Sequence, residues 1–150
     1  MSSETFIVGD REFTVMRMNA FTANALMLRI QKIALPVIGS LVNGKGLGDM
    51  DVKEAAMVIA QHIDESVMTS IVLPMFEGSQ LYSVENKRKI KSESDINICF
   101  TTENLFDMYE LIFEVARYQF GPFFGQLMAR FGHLSEPSKA EKSPENLTLI

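Results

Sequence analysis

The sequence predicts a mainly α (α+β) fold, a helical domain opened by a small N-terminal β-hairpin. Three observations predict it. Apolar residues recur at three- and four-residue spacing through three long segments, the period of amphipathic helices. Two short β-branched and aromatic runs near the N-terminus flank a Gly-Asp pair, the pattern of a hairpin. The chain has 150 residues with 47% hydrophobic content, enough for one core and too short for two well-built domains. The expected organisation is a domain over 1–133 followed by a disordered polar tail over 134–150, rich in Ser, Glu, Lys and Pro, which buries too little surface to offset its ordering entropy.

Thr5–Val8 and Phe13–Met16 form the expected hairpin around Gly9-Asp10-Arg11-Glu12. Asn19 or Thr22 caps the helix that follows, because a short polar side chain satisfies free N–H groups. Leu26, Ile30, Ile33, Val37 and Leu41 line one face of that helix, with a kink or break near Ile33 ahead of Pro36. Asn43 to Gly48, with three glycines, reads as a flexible loop. Asp51-Val52-Lys53-Glu54 starts a second helix, in which Val52, Ala56, Ile59, Ile63 and Val67 share a face and which Pro74 and Gly78 end or break. Leu81–Val84 and Ile96–Phe100 read as a second short strand pair, separated by a charged, solvated run from Glu85 to Asp95. Thr101 or Thr102 caps the last long helix, with Leu105, Met108, Tyr109, Ile112, Val115, Ala116 and Phe120 at its apolar positions. Gly121-Pro122 breaks it, leaving Phe123–Phe131 as a short apolar helix or interaction segment.

The net charge is −5, which argues against a nucleic-acid binder, since such proteins neutralise phosphates with Lys and Arg. A single cysteine, Cys99, excludes an internal disulfide and fits a reducing compartment. The N-terminal residues have neither a basic region nor an apolar run, so no signal peptide is expected. The most apolar stretch, 20–42, carries Arg29, Lys32 and Pro36, so no membrane span is expected.

Catalytic chemistry is thinly represented. The two histidines, His62 and His133, make no helical metal pair, and His62 with Asp64 and Glu65 reads as a polar helix face. Gly44-Lys45-Gly46-Leu47-Gly48 lacks the Gly-Lys-Ser/Thr ending of a phosphate loop. Cys99 lies in an apolar stretch, where a buried, unreactive thiol is expected. Lys87-Arg88-Lys89 and Lys91 are flanked by Glu85, Glu93 and Asp95 and read as a solvated loop. No metal, cofactor or catalytic residue is assigned, and an enzyme would reveal itself by a stoichiometric metal or a nucleotide-dependent thermal shift.

Ten Met and eleven Phe, without Trp, either fill the core or supply adaptable binding surface. The aromatic run near the C-terminus divides between these roles. Phe113 and Phe120 fall near the helix's apolar face, while Phe123, Phe124, Leu127, Met128 and Phe131 lie beyond the Gly-Pro pair. Phe120, Phe123, Phe124, Leu127, Met128 and Phe131 are the expected partner contacts.

The order of elements resembles the tail assembly chaperones of long-tailed bacteriophages and prophages. The resemblance runs from Phe6-Ile7-Val8-Gly9-Asp10-Arg11-Glu12-Phe13-Thr14-Val15 into Ala25–Ile30, through the helix Val52–Val67, to Phe106–Ile112 and Tyr118–Phe124. It implies a non-enzymatic protein that keeps the long, apolar tape measure protein soluble until tail tube subunits polymerise around it. The implied partners are the tape measure protein and the tail tube protein; association of the chain with itself stays open. The implied place of action is the cytoplasm of the host bacterium, with the chaperone absent from the mature virion. The competing reading is a minor structural or tail-completion protein, which would persist in purified particles.

Overall fold

The computed structural model describes residues 3–33 and 51–131. Strands β1 (Ser3–Val8) and β2 (Arg11–Met16) form the expected hairpin, with Val8 paired to Arg11 so that only Gly9 and Asp10 make the turn. Gly9 has φ +64°, and glycine at the first central position suits a two-residue II′ turn. Two further strands extend the sheet: β3 (Tyr82–Ser83) pairs with β2, and β4 (Arg88–Lys89) pairs with β3. All four are antiparallel, in the order β1-β2-β3-β4.

Helix α1 (Ala20–Ile33) begins after Asn19, whose side-chain oxygen accepts from Thr22 N–H at 2.8 Å. Leu26 and Met27 carry its buried face. The kink expected near Ile33 and Pro36, the glycine loop from Asn43 to Gly48 and the tail from Leu134 lie outside the described residues.

The second helical segment is more broken than its apolar spacing predicts. Helix α2 (Val52–His62) stops at Ile63, and α3 (Glu65–Val67) restarts under a cap in which Asp64 accepts from Val67 N–H at 2.8 Å. A π-helical turn (Met68–Val72) follows, then α4 (Leu73–Gly78), which runs through Pro74 and ends at Gly78 as expected. Pro74 has no N–H for the Ser70 carbonyl four residues back. Arg29 of α1 supplies the donor instead, at 3.0 Å.

The expected strand over Ile96–Phe100 is corrected to a helix, α5 (Glu93–Cys99). A capping box fixes its start: Ser92 Oγ accepts from Asp95 N–H while the Asp95 carboxylate accepts from Ser92 N–H. Strand β3 pairs instead with Arg88–Lys89, inside the run expected to be a loop.

A 3-10 turn (Thr102–Asn104), capped by Thr101, leads into the longest helix, α6 (Leu105–Phe131). The break expected at Gly121-Pro122 is absent, and α6 continues to Phe131. Tyr118 stands four residues before Pro122, and Arg17 donates to its carbonyl, replacing the missing N–H. Helix α6 packs along α2 and against β1 and α4. Its Met108, Leu111, Ile112, Phe113, Val115 and Phe120 form the centre of a core completed by Phe13, Leu26, Ile59, Val72, Phe76 and Ile96.

Polar contacts lock these layers. Gln119 of α6 donates to the Met16 carbonyl at 2.7 Å and to the buried Ser79 hydroxyl at 2.9 Å, while Met18 N–H donates to its oxygen at 3.1 Å. Lys53 of α2 reaches the buried Glu110 of α6 at 2.9 Å, and this hydrogen-bonded carboxylate raises the Lys53 ammonium above its ordinary value.

Candidate functional site

The structure divides the sequence-predicted contact residues. Phe120 is 4% exposed and sits in the core, so its ring serves packing rather than an open surface. Phe123, one turn further and just past Pro122, is 43% exposed. The side chains of Phe124, Leu127, Met128 and Phe131 lie outside the described residues, although their backbone belongs to α6. Other exposed apolar residues include Phe21 and Leu28, seven residues apart on α1, Met57 on α2 and Ile98 on α5.

A concavity among the described residues lies elsewhere. A groove of about 530 Å³ opens between α3 with its π turn on one side and α5 on the other, with the start of α6 below. Met68 and Leu73 line the first wall, Ile96 the second, and Phe100, Leu105 and Met108 the floor. The π turn shapes this wall: Leu73 N–H bonds to Met68 O, five residues back, which widens the helix by one residue. The side chains of Thr69 and Ser70 donate to carbonyls of the preceding turn, Thr69 to Glu65 at 3.1 Å and Ser70 to Ser66 at 2.6 Å.

None of these groove residues is among the expected contacts. The signal that could have found one wall is Ser92-x-x-Asp95, a capping-box pattern ahead of an apolar run, which makes Ile96–Cys99 helical. The other wall has no local signature, because Met68 and Leu73 follow the helix restart at Asp64.

Among the described residues, reactive chemistry finds no assembled site. His62 is exposed and its Nδ1 lies 2.9 Å from the Val58 carbonyl of its own helix. Cys99 is buried, and burial pushes its thiol upward while Arg11 opposes the shift. Among the described residues no group of three or more His, Cys, Asp and Glu could hold a metal ion, and no helix is long and apolar enough to cross a membrane.

The family model described as phage tail assembly chaperone protein, TAC, matches residues 9–132, more than four-fifths of the chain. The chain belongs to the phage tail assembly chaperone family. Neither the search of curated proteins nor that of solved structures returned a match. The family match begins at Gly9 in the hairpin turn and spans the groove and all of α6, so both candidate surfaces of this tail assembly chaperone lie within the family domain.

Proposed function

We propose that this tail assembly chaperone is a non-enzymatic holdase for the tape measure protein. It covers apolar helices of that very long polypeptide in the host cytoplasm and is left behind when tail tube subunits close around it. Membership of the tail assembly chaperone family carries this reading. Physical chemistry supports it in two ways. A holdase needs apolar surface that adapts to its client, and methionine-lined and aromatic surface provides that. It also needs charge to keep a complex with an apolar client in solution, and the chain carries −5. The segment of α6 beyond Pro122, with Phe123, Phe124, Leu127, Met128 and Phe131, is one client face in this reading.

Co-expression with the tape measure protein tests it. The expected result is a soluble complex, lost from purified virions and weakened when Phe123 and Phe124 are both changed to Ser with the helical circular dichroism intact. Loss of the folded signal in that variant would assign both rings to the core. A chain that persists stoichiometrically in purified particles would be a structural component, and the holdase reading would fall.

A further inference from the structure

The groove beside the π turn has a composition that specifies what fits it. Its apolar lining includes Met68 on one wall and Met108 on the floor, unbranched side chains that re-pack around differing shapes. Its charged lining residues are Glu65 on the α3 wall and Glu93 on the α5 wall, and no Lys, Arg or His lines it. Both carboxylates are on exposed residues. Two of its hydroxyl residues already serve the backbone, since Thr69 donates to Glu65 O and Thr101 accepts from Glu103 N–H. A small polar molecule would therefore find few convergent groups to orient it. An apolar trough between acidic walls instead complements a helix with an apolar stripe and cationic flanks.

We propose that this groove docks one amphipathic helix of the client polypeptide, its apolar stripe seated on Met68, Leu73, Ile96 and Leu105 and its flanking Lys or Arg side chains facing Glu65 and Glu93. The inference rests on the reading of the chain as a holder of helical polypeptide, and it adds a docking site separate from the α6 segment beyond Pro122. The apolar contacts supply the affinity. The rim carboxylates set orientation and selectivity, as exposed ion pairs contribute little binding energy but repel the wrong sign.

The test uses the full chain and two fluorescent synthetic helices of about 18 residues, about 27 Å long at 1.5 Å per residue. Both carry Leu at three- and four-residue spacing, one with Lys flanks and one with Glu flanks. Anisotropy titration at low salt is expected to favour the Lys-flanked helix by roughly tenfold or more, with the preference shrinking as salt screens the rim. Met68→Glu and Leu105→Glu, at partly exposed positions, should each weaken that helix by roughly tenfold. Should either groove variant misfold, the surface variant Glu65→Lys/Glu93→Lys decides, by turning preference toward the Glu-flanked helix. Failure of the Lys-flanked helix to bind, equal affinity for both helices, or indifference to the groove variants would overturn the proposal. Capture of the tape measure protein is read separately in the co-expression assay. A chain that captures it but fails the helix assay keeps its function and loses this groove; one that passes the helix assay but ignores the tape measure protein keeps the groove and loses that client.

Discussion

The Arg17 guanidinium donates to the Tyr118 carbonyl and lies over the Tyr118 ring, 3.8 Å from its centroid. Tyr118 precedes Pro122 by four residues, so this carbonyl is the one that proline deprives of its helical donor. The arrangement occurs twice. Arg29 donates to Ser70, four residues before Pro74. A third arginine, Arg11, donates to the Cys99 carbonyl at 2.6 Å, at the C-terminal end of α5. Hairpin, the link after it and α1 are thus tied to α5, α6 and the π turn through main-chain oxygens. The segment that looks separate in sequence is part of what lets α4 and α6 carry proline.

This pairing predicts a specific non-additivity. Arg17→Met should lower stability by about 1 kcal/mol, the usual net value of a hydrogen bond. In a Pro122→Ala background residue 122 regains an N–H for Tyr118, so the same Arg17→Met change should cost distinctly less. Urea denaturation of the four proteins of the cycle gives the coupling. Equal costs in both backgrounds would mean that Arg17 acts through stacking on the Tyr118 ring alone.

The same contacts explain which parts of the fold the sequence reveals. Gly9-Asp10 sits between two β-branched runs, so the hairpin is legible locally, and Asn19 announces α1. The continuity of α6 is not, because the donor that rescues Tyr118 is Arg17, far away along the chain. Ile96-Asn97-Ile98 mimics the period of a strand, yet Ile98 is exposed while Cys99 and Phe100 are buried, and the Ser92–Asp95 box decides for a helix. Strand β4 is two charged-run residues and has no hydrophobic pattern to read. The groove is less legible still: its apolar residues come from the π turn, α4, α5, the link after α5 and α6, and converge only through the tertiary fold. The aromatic run after Phe113 is visible as apolar, but its division at Pro122 into buried Phe120 and half-exposed Phe123 is a property of packing.

Gly9 is constrained twice. Its φ of +64° is costly for any residue with a Cβ, and a Cβ there would lie 2.6 Å from Asp107 Oδ2 on α6. Gly9→Ala should therefore lower stability by at least the about 1–2 kcal/mol of a left-handed residue, with any further loss set by how readily the Asp107 carboxylate rotates away. At roughly 2–4 °C per kcal/mol for a chain of this size, the melting temperature should fall by several degrees. Asp107→Ala in the same chain should restore the part due to crowding and leave the backbone part. A Gly9→Ala protein as stable as the parent would show that the turn adopts a different conformation.

Asp95 predicts one limb of the acid response. Its carboxylate accepts from Lys91 N–H at 3.0 Å, from the Ser92 hydroxyl at 2.9 Å and from Ser92 N–H at 3.1 Å, and Arg88 lies 3.2 Å away. The Lys91 N–H is the largest cause, and together these donors hold the carboxyl below its usual range. A depressed folded-state value means stabilisation that is complete above the unfolded value, about 3.9, and is lost as pH falls below it. Asp95→Asn should be less stable than the parent at neutral pH, with the difference narrowing below about pH 4. A stability difference constant from neutral to strongly acid pH would show that the carboxylate charge contributes nothing to the cap.

Cys99 reports on the opening of α5. The thiol is buried and pushed upward chiefly by that burial, so a disulfide reagent should label native protein slowly at neutral pH and denatured protein at once. Arg11→Met then separates two routes. Removing the cation raises the thiol further and would slow attack on the folded state, because Arg11 opposes the shift. The same change removes the donor to the Cys99 carbonyl and the guanidinium that lies 4.7 Å from the centre of the Phe100 ring, so it loosens α5. Labelling should therefore accelerate, since the reagent reaches Cys99 through local unfolding. Slower labelling in Arg11→Met would place the attack on the folded protein and make Arg11 an electrostatic influence on the thiol rather than the clasp of its helix.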